Sequence, residues 1–176
     1  MRISVQCSHR RRVHAERLAA AAREASHEVH VACDYDDHGP WYSARLAFLH
    51  DPDLVVQDDA VPTPHAWILA SAYQSVRGIV CLCTTRSEVP RGVHRVQVPC
   101  LVAYTLPRGL GPAIVEWVDA QPRARPRWGT CDTRRVRDYC HEHGVEILTL
   151  SPSLFDTGAL PSLIGHEPAR AAWVEP

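Results

Sequence analysis

Three short apolar runs near the start of the chain, Arg2 to Gln6, Glu28 to Cys33 and Asp53 to Gln57, are separated by stretches of a different periodicity. Val13, Arg17, Ala20 and Ala21 fall at i, i+4, i+7 and i+8, so Val13 to Ala25 reads as a helix with one apolar face. Trp41 to His50 reads as a shorter helix, behind an acidic loop that carries Gly39 and Pro40. Strand, helix, strand, loop, helix and strand in that order point to an α/β fold. The expected architecture is a mostly parallel sheet flanked by helices.

The same alternation continues downstream. Val61-Pro62-Thr63-Pro64 breaks the chain and His65 to Val76 resumes as a helix. Gly78 to Thr84 is apolar throughout, as in a strand covered on both faces. Val93 to Val98 and Leu101 to Leu106 are further strand candidates, and Gly111 to Ala120 a helix. Asp132 to His143 reads as a helix closed by Gly144, followed by the last clear strand, Val145 to Leu150. Pro122 to Trp128 is rich in Arg and Pro and reads as irregular, and the tail from Ser151 is loop-rich. No repeat or linker divides the chain, so residues 1–176 are expected to form a single domain.

Composition sets the class. At 45% hydrophobic with a net charge of −1, the 176 residues can bury a core and do not have the charge bias of a disordered chain. No apolar run reaches the roughly 18 residues of a membrane span, and the N-terminus lacks the pattern of an export signal. A soluble protein of the cytoplasm is expected. All 19 basic residues are Arg, so every cationic side chain except a protonated His is a guanidinium fork suited to phosphate or carboxylate. The 7 cysteines include no C-x-x-C pair and stand mostly in apolar stretches, which suits buried reduced thiols.

In an open α/β sheet, ligands bind outside the carboxyl ends of the strands. Here those ends carry Ser8 to Arg12, Asp34 to Asp37, and Asp58-Asp59. Adjacent carboxylates at the end of an apolar strand repel one another unless a cation neutralises them. A hard divalent ion does this and can hold a diphosphate at the same time. A solvated turn with Asp59 capping the next helix is the other reading of the pair. Arginines 10 to 12 open a helix whose dipole they oppose, a mild argument for a nearby phosphate. Arg123, Arg125, Arg127, Arg134, Arg135 and Arg137 form a second basic stretch, with Trp128 inside it, that suits a nucleic-acid backbone or a solvated helix face.

Asp53 to Ala60, preceded by Gly39-Pro40-Trp41 and Ala44, resembles the small GT-A glycosyltransferases of bacteriophage type. The resemblance extends to Pro152-Ser153-Leu154-Phe155-Asp156 and Pro161-Ser162-Leu163-Ile164-Gly165 near the end, an ordered set of short motifs over most of the chain. It is similar in particular to enzymes that decorate hydroxymethylated pyrimidines in DNA, including those associated with TET-like oxygenases.

The resemblance implies a compact GT-A-like, Rossmann-like domain that takes a nucleotide-sugar donor, UDP-glucose or UDP-N-acetylglucosamine. Asp58 and Asp59 would hold Mn²⁺ or Mg²⁺ against the diphosphate. Ser8, His9, Arg10, Asp34 and Trp41 would line the nucleotide site. Asp132 is implied as the general base toward the acceptor hydroxyl, and Asp59 is the other catalytic candidate. Where the family often supplies a late His to the metal, the tail reads Phe155-Asp156-Thr157-Gly158, leaving Asp156 or His166 as the third ligand. The acceptor would be a hydroxymethylcytosine-type base, with Arg123, Arg125, Arg127, Arg134 and Arg135 on the DNA. Two other readings stand beside it: transfer to a glycan or small molecule, and a non-catalytic nucleotide- or DNA-binding module.

Overall fold

β1 (Arg2–Ser8) sorts its side chains by alternation, with Ile3, Val5 and Cys7 on one face and Ser4 and Gln6 on the other, all buried. A computed structural model describes residues 1–84, 90–97, 99–121 and 131–157. After β1, a single 3-10 turn (His9–Arg11) leads into α1 (Arg12–Glu24), then β2 (Glu28–Asp34), α2 (Pro40–Leu49) and β3 (Leu54–Gln57). β2 and β3 both pair with β1 in parallel, one on each side. The chain therefore leaves β1 in one direction through α1 and returns across it through α2, so right-handed connections set the two helices on opposite faces of the sheet.

The remaining elements are β4 (Ala60–Pro62), α3 (Ala66–Ser71), β5 (Ile79–Cys81), β6 (Gly92–Arg95), β7 (Ala103–Thr105), α4 (Leu110–Ala120), α5 (Asp132–His143), β8 (Ile147–Ser151) and β9 (Phe155–Thr157). Seven strands form one sheet in the order β2-β1-β3-β7-β5-β8-β6, and β4 and β9 form a separate two-stranded ribbon. The pairings give β1, β2, β3, β5 and β8 one direction, with β7 and β6 opposed. The sheet is thus mixed, with the parallel direction dominant.

Two cores lie on the two faces. α1 and α3 pack Leu18, Ala19, Ala22, Trp67 and Ala70 against Val5, Leu54, Val56, Val80 and Leu82. α2, α4 and α5 pack Phe48, Ile114, Val118, Val136 and Tyr139 against Val55, Ile79, Tyr104 and Ile147. All described cysteines are free thiols, five of them buried and Cys100 and Cys131 half-buried. Among the described residues no helix is long and apolar enough to cross a membrane.

Several expected boundaries shift: the strands expected over Gly78 to Thr84, Val93 to Val98 and Leu101 to Leu106 shorten to Ile79–Cys81, Gly92–Arg95 and Ala103–Thr105, and two further shifts have a plain local cause. The helix expected over His65 to Val76 ends at Ser71, where Ser71 Oγ donates to the Ile68 carbonyl at 2.6 Å and the backbone tightens into i−3 turns through Gln74 and Val76. The strand expected over Val145 to Leu150 starts later, at Ile147, because Val145 N–H is drawn back to the Cys140 carbonyl by the left-handed Gly144 cap.

Candidate functional site

The chain reverses its direction of travel across the sheet between β1 and β3, which makes the crevice outside their carboxyl ends the topological switch point. Register brings the polar ends level there. Gln6 stands opposite Gln57 on one side, Ser8 opposite Asp34 on the other, and Asp58 N–H donates to the Gln6 carbonyl at 3.0 Å.

Beyond β3 the two aspartates share one guanidinium. Arg11 Nη1 lies 3.3 Å from Asp58 Oδ1 and 3.6 Å from Asp59 Oδ2, and Ser8 N–H donates to Asp58 Oδ2 at 3.3 Å. Burial pushes the Asp58 carboxyl up to about 6; Arg11 opposes the shift and the charge of Asp59 adds to it. Asp59 Oδ1 and Ser8 Oγ are buried atoms without a hydrogen-bond partner among the described residues. Arg10 and His9 face the acidic loop instead: Arg10 Nη2 reaches Asp37 at 2.7 Å and His9 Nδ1 reaches it at 3.3 Å. Arg12 lies over the Tyr35 ring. Arg10 and Arg11 therefore hold the neighbouring carboxylates, which explains these cations at a helix start without recourse to a phosphate.

Asp34 is 2% exposed and spends both oxygens on its own loop, accepting from Gly39 N–H at 2.8 Å, Asp36 N–H at 3.3 Å and the His38 ring at 3.2 Å. Burial pushes its carboxyl up, but these bonds outweigh it and hold the group below the ordinary carboxylate range. The loop so fixed delivers Gly39, with φ +100°, and Pro40 to the start of α2, where Trp41 is set edge-on to Phe48 at 6.1 Å.

On the opposite face of the same crevice stands Asp132, the first residue of α5. Its Oδ1 accepts from Thr133 N–H at 2.7 Å, and its Oδ2 from the side-chain amides of Gln6 at 3.3 Å and Gln57 at 3.4 Å. Gln6 Nε2 also donates to the Pro40 carbonyl at 3.1 Å, tying α2 to the same cluster. Burial raises the Asp132 carboxyl above its ordinary value, against the bonds from Gln6 and Thr133. Arg135 donates to the Cys131 carbonyl and lies 5.1 Å above the Trp41 ring.

No family model matches this chain, and no curated protein is significantly similar to it.

The fold brings Ser8, Asp34, Asp58 and Asp59 to one edge, with Trp41, Asp132 and Arg135 across the sheet end from them. Asp156 lies on the β4–β9 ribbon opposite Val61, where its Oδ1 takes its neighbour's N–H, that of Thr157. Among the described residues, no group of three or more His, Cys, Asp and Glu is placed to hold a metal ion. His166, Arg123, Arg125, Arg127 and Trp128 lie outside the described residues. Of the other basic candidates, Arg134 is exposed on α5 and Arg137 pairs with Asp138 at 2.8 Å.

The pair fits a divalent ion in part: each Asp58 oxygen already accepts one hydrogen bond, and Asp59 Oδ1, though unpartnered, is buried, so the turn would have to open to present it and phosphate oxygens of a ligand would have to complete the shell, as is usual for Mg²⁺. Two residues of the cluster were not singled out from sequence: Gln6 and Gln57. The available signal was an amide ending each of two apolar strands, but their meeting at Asp132 depends on the β1–β3 register.

Proposed function

We propose that the chain is a glycosyltransferase that moves a hexose from a nucleotide-sugar, UDP-glucose or UDP-N-acetylglucosamine, to the hydroxymethyl group of a cytosine-type base in DNA. The observation that carries the reading is the Asp58–Asp59 pair at the switch point, with Arg11 between the carboxylates and Asp59 Oδ1 unpartnered. Asp34, Asp36, Asp37, Asp58 and Asp59 outnumber Arg10, Arg11 and Arg12 around this crevice. A bare diphosphate would be repelled there, whereas one arriving with a divalent cation would not. The GT-A-like motif order and a mixed α/β sheet with its paired acids at the switch point support the same reading.

In this reading Asp59, with Asp58 beside it, holds the donor's cation. A divalent ion bound there would offset the charge that develops on the departing diphosphate. The anomeric carbon–oxygen bond to phosphate breaks with its electron pair leaving on the diphosphate, and the acceptor oxygen forms the new bond to that carbon. Asp132, raised by burial and held by two amides, takes the acceptor's proton. Arg134 and Arg135, with the arginines of 123–127, would meet the DNA backbone.

The test is mass spectrometry of plain and hydroxymethylated DNA after incubation with each common nucleotide-sugar and Mn²⁺ or Mg²⁺. A hexose-sized gain on hydroxymethylated DNA alone, abolished by EDTA and by Asp59→Ala, is the expected result. Metal-dependent donor hydrolysis without DNA labelling would retain the transferase and redirect it to a glycan or small molecule, whose binding should be insensitive to salt. The ion pairs of Arg11 favour a second reading, a nucleotide-binding module without turnover, and donor binding unaffected by EDTA or by Asp59→Ala would select it.

A further inference from the structure

The seven-stranded sheet ends on β2 at one side, and β2 is hydrogen-bonded on one flank only. Glu28 N–H donates to the Met1 carbonyl at 3.1 Å, so Glu28, His30, Ala32 and Asp34 turn their backbone groups toward β1. Val29, Val31 and Cys33 therefore point theirs outward, where no partner stands among the described residues. Natural edges are blunted by Lys, Pro or a bulge, and Val29 to Cys33 carries none of these. Val29 and Val31 are half-buried, whereas Cys33 is 5% exposed, so the open part of the edge is centred on His30. α1 borders this edge. Arg11 reaches Asp58 beyond β3, whereas Arg12 lies over Tyr35 just past β2. Glu16 and Arg23 share the Arg12 stripe of the helix, so they run along the β2 side. The helix descends from Arg12 over Tyr35 to Ala22, whose carbonyl takes the His27 N–H at 3.2 Å. Because a helix rises about half as far per residue as a strand, His30 falls level with Ala19 and Ala20. Glu16 and Arg23 then stand on either side of that level.

We propose that β2 pairs antiparallel with β2 of a second copy of this chain, across a twofold axis that passes through His30 perpendicular to the sheet. Val29 of each copy then stands opposite Val31 of the other, and each such pair exchanges both N–H···O bonds that the edge leaves open. A closed dimer requires the antiparallel arrangement, because that axis reverses the strand. The same axis sets each Glu16 toward the partner's Arg23, a charge match that favours a copy over a foreign strand. Centring on Val31 instead would face Glu28 with the partner's Asp34 and use the closed Cys33. His30 meets its own counterpart on the α2 side, where it lies against His50 with ring centroids 3.5 Å apart. Burial, and next the charge of His50, hold His30 below the ordinary histidine range, so this contact joins neutral rings at neutral pH. The pairing stands independently of the transferase reading.

The experiment measures mass by light scattering and amide exchange by NMR over a concentration series of the full chain. The expected result is a dimer that dissociates on dilution, with the Val29 and Val31 amides slow when concentrated and fast when dilute. His30 and Ala32, whose N–H groups serve β1, should stay slow throughout. Val31→Pro removes an outward N–H and no bond of the ladder, so it should give a folded monomer with a native far-UV spectrum. Glu16→Arg should weaken the dimer roughly tenfold, and adding Arg23→Glu should restore the affinity. A monomer at every concentration overturns the proposal, and so do particles larger than a dimer, which would mean an edge that captures any strand. It is equally overturned by a dimer in which Val29 and Val31 exchange fast, by one that persists in folded Val31→Pro, or by the absence of rescue in the double variant. Should Val31→Pro fail to fold, the alternation of exchange along β2 in the wild type decides it.

Discussion

At Asp58 and Asp59, two carboxylates share one guanidinium that is itself about 10% exposed along its side chain. Removing one partner of a buried ion pair leaves the other charge desolvated, which costs about 3–5 kcal/mol. Arg11→Met should therefore lower unfolding stability by that amount in urea at pH 7, and a loss below about 1 kcal/mol would mean the pair is solvated like a surface bridge. Asp34 carries a different load. The resemblance implies Asp34 beside a nucleotide; the structure places it at the end of β2, and its bonds to Gly39 N–H, Asp36 N–H and His38 were not legible, since they depend on the turn taken by the next five residues. Asp34→Asn turns an N–H toward the Gly39 N–H or surrenders the other contacts, and should cost about 1.5–3 kcal/mol at pH 7. Because the folded carboxyl is held below its unfolded value, its contribution is present above the ordinary carboxylate range and is lost as the pH falls through the folded value. The gap between wild type and Asp34→Asn should consequently close in urea titrations carried down to pH 3.

The elements that sequence located well are those whose ends carry local chemistry. α5 begins at Asp132 and ends at His143 before a left-handed Gly144, as its charge and cap signals predict, and Pro40 opens α2 behind Gly39. Strand direction had no such local mark. β7 is as fully buried as β5, and only its antiparallel pairing with both β3 and β5 distinguishes it. The three-residue strands β4 and β9 are too short for alternation to register, and they exist through each other. Helix-to-helix distance is equally silent in sequence, yet one glycine records it. A Cβ at Gly111 of α4 would stand 2.9 Å from the Phe48 carbonyl oxygen and 3.2 Å from its Cα, both backbone atoms of α2. Propensity alone favours alanine in a helix by about 1 kcal/mol. Here the clash should win, and Gly111→Ala should destabilise by about 1–3 kcal/mol in chemical denaturation; a stabilised variant would show that α2 and α4 are free to separate.

Across the whole molecule, the crevice is built from residues that the chain keeps far apart: Gln6 meets Asp132 across a separation of 126 positions and Gln57 across 75. Sequence could name Asp58, Asp59 and Asp132 as chemically loaded, but it could not tell that Asp58 and Asp132 approach the crevice from opposite faces of the sheet, because that follows from the β1–β3 register and from the path of α5. The sheet which joins them also separates the two cores. Phe155 packs on the α3 side, edge-on to Trp67 at 5.2 Å, and its N–H donates to the Leu82 carbonyl; Phe48 packs on the α2 side against Tyr104. Because they belong to different cores, Phe48→Leu and Phe155→Leu should each cost roughly 1–2 kcal/mol and add in the double variant to within about 0.5 kcal/mol. Their effects on the crevice should differ. β9 holds β4, and β4 starts directly after Asp59, so Phe155→Leu should speed amide exchange at Asp156, which stands opposite Val61 on the ribbon, while Phe48→Leu leaves that amide as it is. Coupling of the two substitutions beyond that margin, or equal exchange at Asp156 in both, would mean that the sheet transmits strain between its faces and that the aspartate turn answers to both cores.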